Sequence, residues 1–581
     1  MTIELQSTER YEFHHPIRTV AVIGSGPTGT PAARHLQEAG LKVRLFERQS
    51  QSGGIWNWRP SAALPLSVPT PPPSIGAFTP VIRETGIYNY KDENRKERDH
   101  FNPPNPCYWN LTNNVPTTTM AFKDFPYPEG TERNVSHSFL ANYVHDYAKH
   151  FGLDKLASYN TRVEKAEKVA HKWRLNLRKV ADEGDSQARE EQWSEEFDAV
   201  VVATGHYNAP YIPSLPGADV WANAWPEKVI HSQGYRKPEP YKGKTVLIVG
   251  IGTSGNDIAR DLDPYVEKTY MVGRDKFRGP SAYQKQRKMQ RLMLPDKAES
   301  IAEIKRFLPP KSQNQSIEES EIELTDGTII KGVNEVIFAT GYQYSFPFLP
   351  TYHEDYQGER SEKIRKHPLV KDGSGVLNLH KDVFYIPDPT LSFIGLSVNT
   401  SAFSFFEYQS ISISRVYSSK AKLPSTFNLW NEYKNLMKEK GEGKFSHLLN
   451  RDGERKYVKE TVEWLNYDAS QPWSGAELVQ GHSKEWLEES DKMAELLAAK
   501  YNVTPEQLKQ INDEIDQASE QLSKDKQAQE QNDTQILSAT LGVNPSTNAN
   551  GPLRPTFNTA AEETNARAKE ALARKSLAVE A

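Results

Sequence analysis

The stretch TVAVIGSGPTGTPAARHLQEAGLKVRLFE, Thr19–Glu47, decides the fold. An apolar run of strand character meets a glycine turn, then a segment with helical spacing, then a second apolar strand. Gly24, Gly26 and Gly29 form G-x-G-x-x-G at the turn. Glycines there allow a tight bend and let a pyrophosphate approach the backbone at the helix N-terminus. Glu47 ends the second strand eighteen residues beyond Gly29, the place from which a carboxylate accepts hydrogen bonds from a ribose diol. Strand, turn, helix and acid together outweigh a chance glycine triplet and predict a dinucleotide-binding βαβ unit.

The pattern returns in TVLIVGIGTSGNDIARDL, Thr245–Leu262, where Gly250, Gly252 and Gly255 repeat the turn and Thr253 and Ser254 open the helix. The next strand, Lys268–Val272, runs into Arg274, with Lys276 and Arg278 close behind. A cation at that strand end suits a 2'-phosphate and favours NADPH. Asp275 leaves NADH as the alternative, and Arg274 alone could equally be an ordinary surface arginine. Two further apolar strands end in glycine, FDAVVVATG at Gly205 and EVIFATG at Gly341. The sequence therefore predicts an α/β protein with two Rossmann-like folds.

At 581 residues, more than one domain is expected. A formal net charge of -5 gives no general attraction to nucleic acid or an anionic membrane. With Cys107 as the single cysteine, an internal disulfide, a redox-active cysteine pair and a thiolate zinc cage are excluded. The absence of an apolar run of about 18 residues argues against an integral membrane segment, and a cytoplasmic location is expected. Pro60–Pro106 is rich in Pro, Asn and charge and reads as a surface excursion. Beyond Ser470 the chain turns polar and helix-prone, with Thr504-Pro505-Glu506-Gln507 as a helix N-cap, and past Lys524 its composition is that of disorder.

Several spaced motifs resemble the flavin-containing monooxygenases, a family of class B flavin-dependent monooxygenases, over roughly residues 17 to 425. ERQSQSGGIW carries the family's glycine pair and tryptophan, Gly53, Gly54 and Trp56, which the resemblance places against FAD and its ring. YWNLTNNVPTTTMAFKDFPYP is similar to the stretch whose asparagine faces the flavin, here Asn114. WPEKVIHSQGY matches the family fingerprint at Trp225, His231 and Tyr235, with Glu227 where glycine is usual. The segment around Asn399, Thr400 and Ser401 resembles the return to the flavin ring but differs from the commonest forms.

The resemblance implies a nested arrangement. An FAD domain of residues 1–215 and 336–470 would be interrupted by an NADPH domain of 216–335 and followed by a helical to disordered extension, 471–581. It also implies that NADPH reduces the flavin and that O2 then forms a C4a-hydroperoxyflavin, which passes one oxygen to a soft nitrogen or sulfur nucleophile. Asn114 would be the residue at the reacting face and the assembly a homodimer; His231 reads as a brace of the linker between domains, with proton transfer near neutral pH as the alternative. A Baeyer–Villiger monooxygenase acting on ketones is the nearest rival, although Tyr235-Arg236 departs from its fingerprint. An amino-acid N-hydroxylase fits the motifs less well, and a disulfide reductase would need a second cysteine. A non-catalytic NADPH-binding sensor is the alternative from another class.

Overall fold

A computed structural model describes residues 9–60, 65–92, 95–182, 187–274, 281–500, 503–507, 509–511 and 513. Its first sheet has seven strands, in the order Leu379–His380, Phe384–Tyr385, Leu391–Phe393, Ala199–Val202, Thr19–Ile23, Lys42–Phe46 and Ala157–Ser158. From Leu391–Phe393 to Ala157–Ser158 all neighbours are parallel, with Thr19 opposite Lys42 and Ile23 opposite Phe46. Both faces of the parallel sheet are covered at its centre, which explains why Thr19–Ile23 and Ala199–Val202 are apolar almost throughout, whereas Lys42–Phe46 alternates exposed Lys42 and Arg44 with buried Val43 and Leu45. Val20 and Val22 enter one core with Ala32, Ala33 and Leu36 of the helix Gly29–Glu38. Ala21 and Ile23 enter another, with Phe46, Trp173 and Phe393. Each Val or Ile so buried stabilises the fold by about 1.5–3 kcal/mol.

The second sheet has five parallel strands, in the order Val229–His231, Glu335–Phe338, Thr245–Val249, Lys268–Val272 and Ala298–Ile301. Its central strand divides in the same way, with Leu247 and Val249 in one core and Val246 and Ile248 in the other. The chain thus leaves the first sheet after Val202, builds the second, and returns to the first at Leu379. Glu335–Phe338 lies inside the second sheet, paired on both sides.

The Pro60–Pro106 stretch is more ordered than its composition suggests. Gly86–Lys91 is an edge strand that pairs antiparallel with Gln187–Phe197, in a four-stranded sheet with Lys172–Asp182 and Thr161–Val169. Buried Asp92 then accepts the Glu97 amide at 2.8 Å and starts the helix Lys96–Phe101.

Toward the C-terminus, the helices Phe403–Tyr417, Thr426–Lys440, Asn450–Ala469 and Lys484–Lys500 follow in turn. The last one packs on the short helix Thr117–Met120, where the Trp486 indole donates to the Thr119 carbonyl at 2.8 Å. Thr504 and Gln507 form a reciprocal capping box, amide to side chain in both directions. No helix among the described residues is long and apolar enough to cross a membrane. Lys276, Arg278, Asp275 and the segment past Lys524 lie outside the described residues.

Candidate functional site

The two glycine turns are near copies of one another. Gly24 has φ +104° and Gly250 has φ +115°, a left-handed region that side chains disfavour. A Cβ on Gly24 would fall 2.5 Å from the Ala203 carbonyl oxygen, and one on Gly250 would fall 2.4 Å from that of Ala339. A Cβ on Gly29 would meet Gly24 O at 1.8 Å, and one on Gly255 would meet Gly250 O at 2.0 Å. Gly24 N donates to Phe46 O at 2.8 Å, and Gly250 N to Val272 O at 2.8 Å. The recurring Ala-Thr-Gly thus has a physical role, because each alanine carbonyl presses on the first glycine of its turn.

A cavity opens at the first turn, lined among others by Gly24, Gly26, Glu47, Arg48, Gly54, Asn105, Arg162, His206 and Phe406. A side chain on Gly54 would come within 2.9 Å of Gly26 Cα, so the Gly53-Gly54 pair is pinched against the turn. Glu47 is buried, and its carboxylate accepts the amides of Ser25 at 2.7 Å and Gln49 at 2.8 Å. Burial pushes its pKa up, against the pull of those two amides. Each oxygen keeps a lone pair for a hydroxyl. Beside it, Arg48 is drawn down to about 10 by burial and donates to Asn208 at 2.8 Å. Arg48 lines the cavity with the helix N-terminus, an arrangement suited to an anionic dinucleotide, while Arg162 reaches the same wall with its charge paired to buried Glu164 at 2.9 Å. His206 donates from Nδ1 to Gly395 O at 3.0 Å, and burial holds its pKa near 4, so the ring is neutral.

Asn114 lies outside that lining and is exposed. Its neighbour Asn113 is buried and fixes the loop, donating to Val115 O and Arg133 O and accepting the Val135 amide. Tyr108 and Asn110 anchor the same stretch to the helix Thr253–Leu262 through Asp257 at 3.2 Å and Asp261 at 2.7 Å. The Trp56 ring stands edge-on to Phe403, centroids 6.4 Å apart.

At the second turn, Thr253 and Ser254 are exposed at the helix start. Arg274 is exposed, and its carbonyl accepts from Arg291 Nη2 at 2.7 Å. His231 uses both ring nitrogens on backbone, Nε2 donating to Gly341 O at 3.0 Å and Nδ1 accepting the Gln233 amide at 3.1 Å. Burial lowers its pKa to about 4.

Near the Asn399 loop, Ala402 adopts φ +56° and ψ -103°, a strained backbone for a residue with a Cβ. Glu454 holds it in place by accepting both the amide and the hydroxyl of Ser401. Burial raises the Glu454 carboxyl to about 7. Cys107 is buried, its thiol pushed up to about 12, and so it supplies no thiolate near neutral pH. Arg48, Arg162, Asn105, His206 and Glu454 were not singled out from sequence. Only Arg48, adjacent to the strand-end acid, carried a readable signal.

Comparison with known proteins places these features in context. Residues 85–277 and 281–472 match the model of the flavin-binding monooxygenase-like family, and residues 22–60 match an NAD(P)-binding Rossmann-like domain. The chain is 35% identical over 496 residues to the flavin-containing monooxygenase iboF of Amanita muscaria, covering 81% of this chain and 92% of that one. It is 31% identical to flavin-containing monooxygenase ustF2 of Aspergillus flavus, covering 83% and 98%. Among solved structures, S-allyl-L-cysteine S-oxygenase from Allium sativum matches with a TM-score of 0.57 and 25% identity, over 87% of this chain and 99% of that one.

Proposed function

This chain belongs to the flavin-binding monooxygenase-like family, and we propose from that premise that it transfers one oxygen atom of O2 to a soft nitrogen or sulfur nucleophile. It is an enzyme whose cofactors are FAD and NADPH. In this reading FAD occupies the first glycine turn and NADPH the second. The observation that carries it is the duplicated turn, each copy backed by its own alanine carbonyl, with the cavity at the first copy lined by Glu47, Arg48 and the Gly26–Gly54 pinch.

Bound FAD would supply the redox chemistry, accepting a hydride from NADPH and activating O2. The protein's own part is to bind, orient and exclude water. The helix N-termini at the two turns would receive the pyrophosphates, and Glu47 would take the ribose diol of FAD while bracing Ser25. Arg274 takes the 2'-phosphate of NADPH. On the family resemblance Asn114 would face the flavin, an uncharged group able both to donate and to accept. His231 has a structural part, both its nitrogens being committed to backbone, that of Gln233 and that of Gly341 where the chain leaves the second sheet. The nucleophile comes from the substrate, so no acid–base triad is required of the chain. We place the boundary of the NADPH unit after Phe338, because Glu335–Phe338 is paired within its sheet. The same reading takes the enzyme as a cytoplasmic homodimer.

The test is a balance of atoms. With isotopically labelled O2 and a panel of sulfides and tertiary amines, NADPH consumption should be matched by labelled S-oxide or N-oxide. NADPH oxidation matched by hydrogen peroxide alone, with no oxygenated product from either class, contradicts the proposal.

A further inference from the structure

The helix Ser281–Leu292, which no motif singles out, lies across the second glycine turn. A Cβ on Gly252 would stand 2.9 Å from Arg287 Nη1, so this guanidinium reaches the middle glycine of the turn. That is the position at which a dinucleotide's pyrophosphate comes closest to the backbone. Gln290 sets the helix there, donating to Thr253 Oγ1 at 3.3 Å and accepting from Arg287 Nη1 at 2.8 Å. Arg291 ties the same helix to the strand end by donating to the Arg274 carbonyl at 2.7 Å. The Tyr283 ring supports the guanidinium, 4.8 Å from its centroid.

No Asp or Glu among the described residues pairs with Arg287. A guanidinium beside the positive end of the helix Thr253–Leu262 is electrostatically unfavourable by itself and becomes favourable when an anion lies between them. We propose that Arg287 clamps the pyrophosphate of the nicotinamide nucleotide, with the helix Ser281–Leu292 as its arm. The inference rests on the reading that NADPH binds at the second turn, and it divides the labour there. Arg287 holds the phosphates that NADPH and NADH share, while Arg274 reads the 2'-phosphate that only NADPH carries.

Titration of the FAD-loaded enzyme with NADP+, ADP-ribose and 2'-AMP separates these roles, since ADP-ribose carries only the pyrophosphate and 2'-AMP only the 2'-phosphate. Arg287→Ala should weaken NADP+ and ADP-ribose alike, by about tenfold or more for one lost charge-assisted pair, and leave 2'-AMP unchanged. Arg287→Lys should recover part of the loss, because a point charge remains without the planar fork. Retained flavin absorbance in each variant shows that the fold is intact. Unchanged ADP-ribose binding in Arg287→Ala overturns the clamp, whether or not 2'-AMP weakens. If the wild-type enzyme bound neither NADP+ nor ADP-ribose, the reading of the second turn itself would fall, and the clamp with it.

Discussion

The Ser25 amide donates to Glu47 Oε2 at 2.7 Å, so the acid at the end of the second strand is built into the first glycine turn as well as facing the cavity. Glu47→Gln replaces one acceptor oxygen by an NH2 group, which must face either the Ser25 or the Gln49 amide. The variant is expected to retain FAD at least about tenfold more weakly, the cost of an unsatisfied buried donor pair. The check is the flavin-to-protein absorbance ratio after gel filtration, and a ratio equal to wild type would count against the brace.

The two turns can be disabled separately. Gly255→Ala would drive a Cβ to within 2.0 Å of the Gly250 carbonyl oxygen, a backbone clash that no side-chain rotation relieves. The protein should still purify yellow with FAD, yet be reduced by NADPH at least about tenfold more slowly, while dithionite reduces it normally. Gly29→Ala, at 1.8 Å from Gly24 O, should instead yield flavin-free protein. A colourless Gly255→Ala protein would mean that the cofactors are not divided between the turns as proposed.

Arg274→Ala should raise the NADPH Kd about tenfold and leave NADH nearly unchanged, because only NADPH has a 2'-phosphate to lose. Isothermal titration with each nucleotide decides it, and equal weakening of both would reassign Arg274.

Much of this was legible in the sequence. The glycine spacing, the strand-end acid and the apolar strands reflect short-range rules, so Gly24, Gly26, Gly29 and Glu47 fall where the pattern puts them. Residues brought in by tertiary packing were not legible. Arg287 reaches Gly252 from thirty-five residues further on, with nothing in its own sequence to mark it. Arg162 enters the cavity wall from a strand of the antiparallel sheet. The edge strand Gly86–Lys91 does alternate between exposed and half-buried residues, but the Pro and Asn around it hid that period. Trp486 lies beyond the segment the motifs cover, and its hydrogen bond to Thr119 appears only once the last helix has folded back.

Glu454 gives the stability a pH signature. Its carboxyl rises from 4.5 to about 7 chiefly through burial, while His482, 3.9 Å away, is held near 3 by its own burial and adds no counter-charge. A carboxyl that binds its proton more tightly when folded contributes stability that is fully present below its unfolded value and is lost as pH rises toward the folded one. Wild-type stability should therefore fall, relative to Glu454→Gln, between pH 4.5 and about 7, by an amount on the order of a few kcal/mol. Urea unfolding of both proteins across that range checks it, and parallel curves would show that Glu454 does not titrate there.

Asn114→Ala should still oxidise NADPH but lose the coupling to product by about tenfold or more, with hydrogen peroxide making up the balance. Peroxide and product assays on the same samples test this, and unchanged coupling would remove Asn114 from the reacting face.

The central claim is tested most directly by stopped-flow absorbance of the NADPH-reduced enzyme mixed with oxygenated buffer. A transient, distinct from both reduced and oxidised flavin, should form and should decay faster as thioanisole or N,N-dimethylbenzylamine is added. Direct return to oxidised flavin, with no transient and no response to either compound, would contradict it.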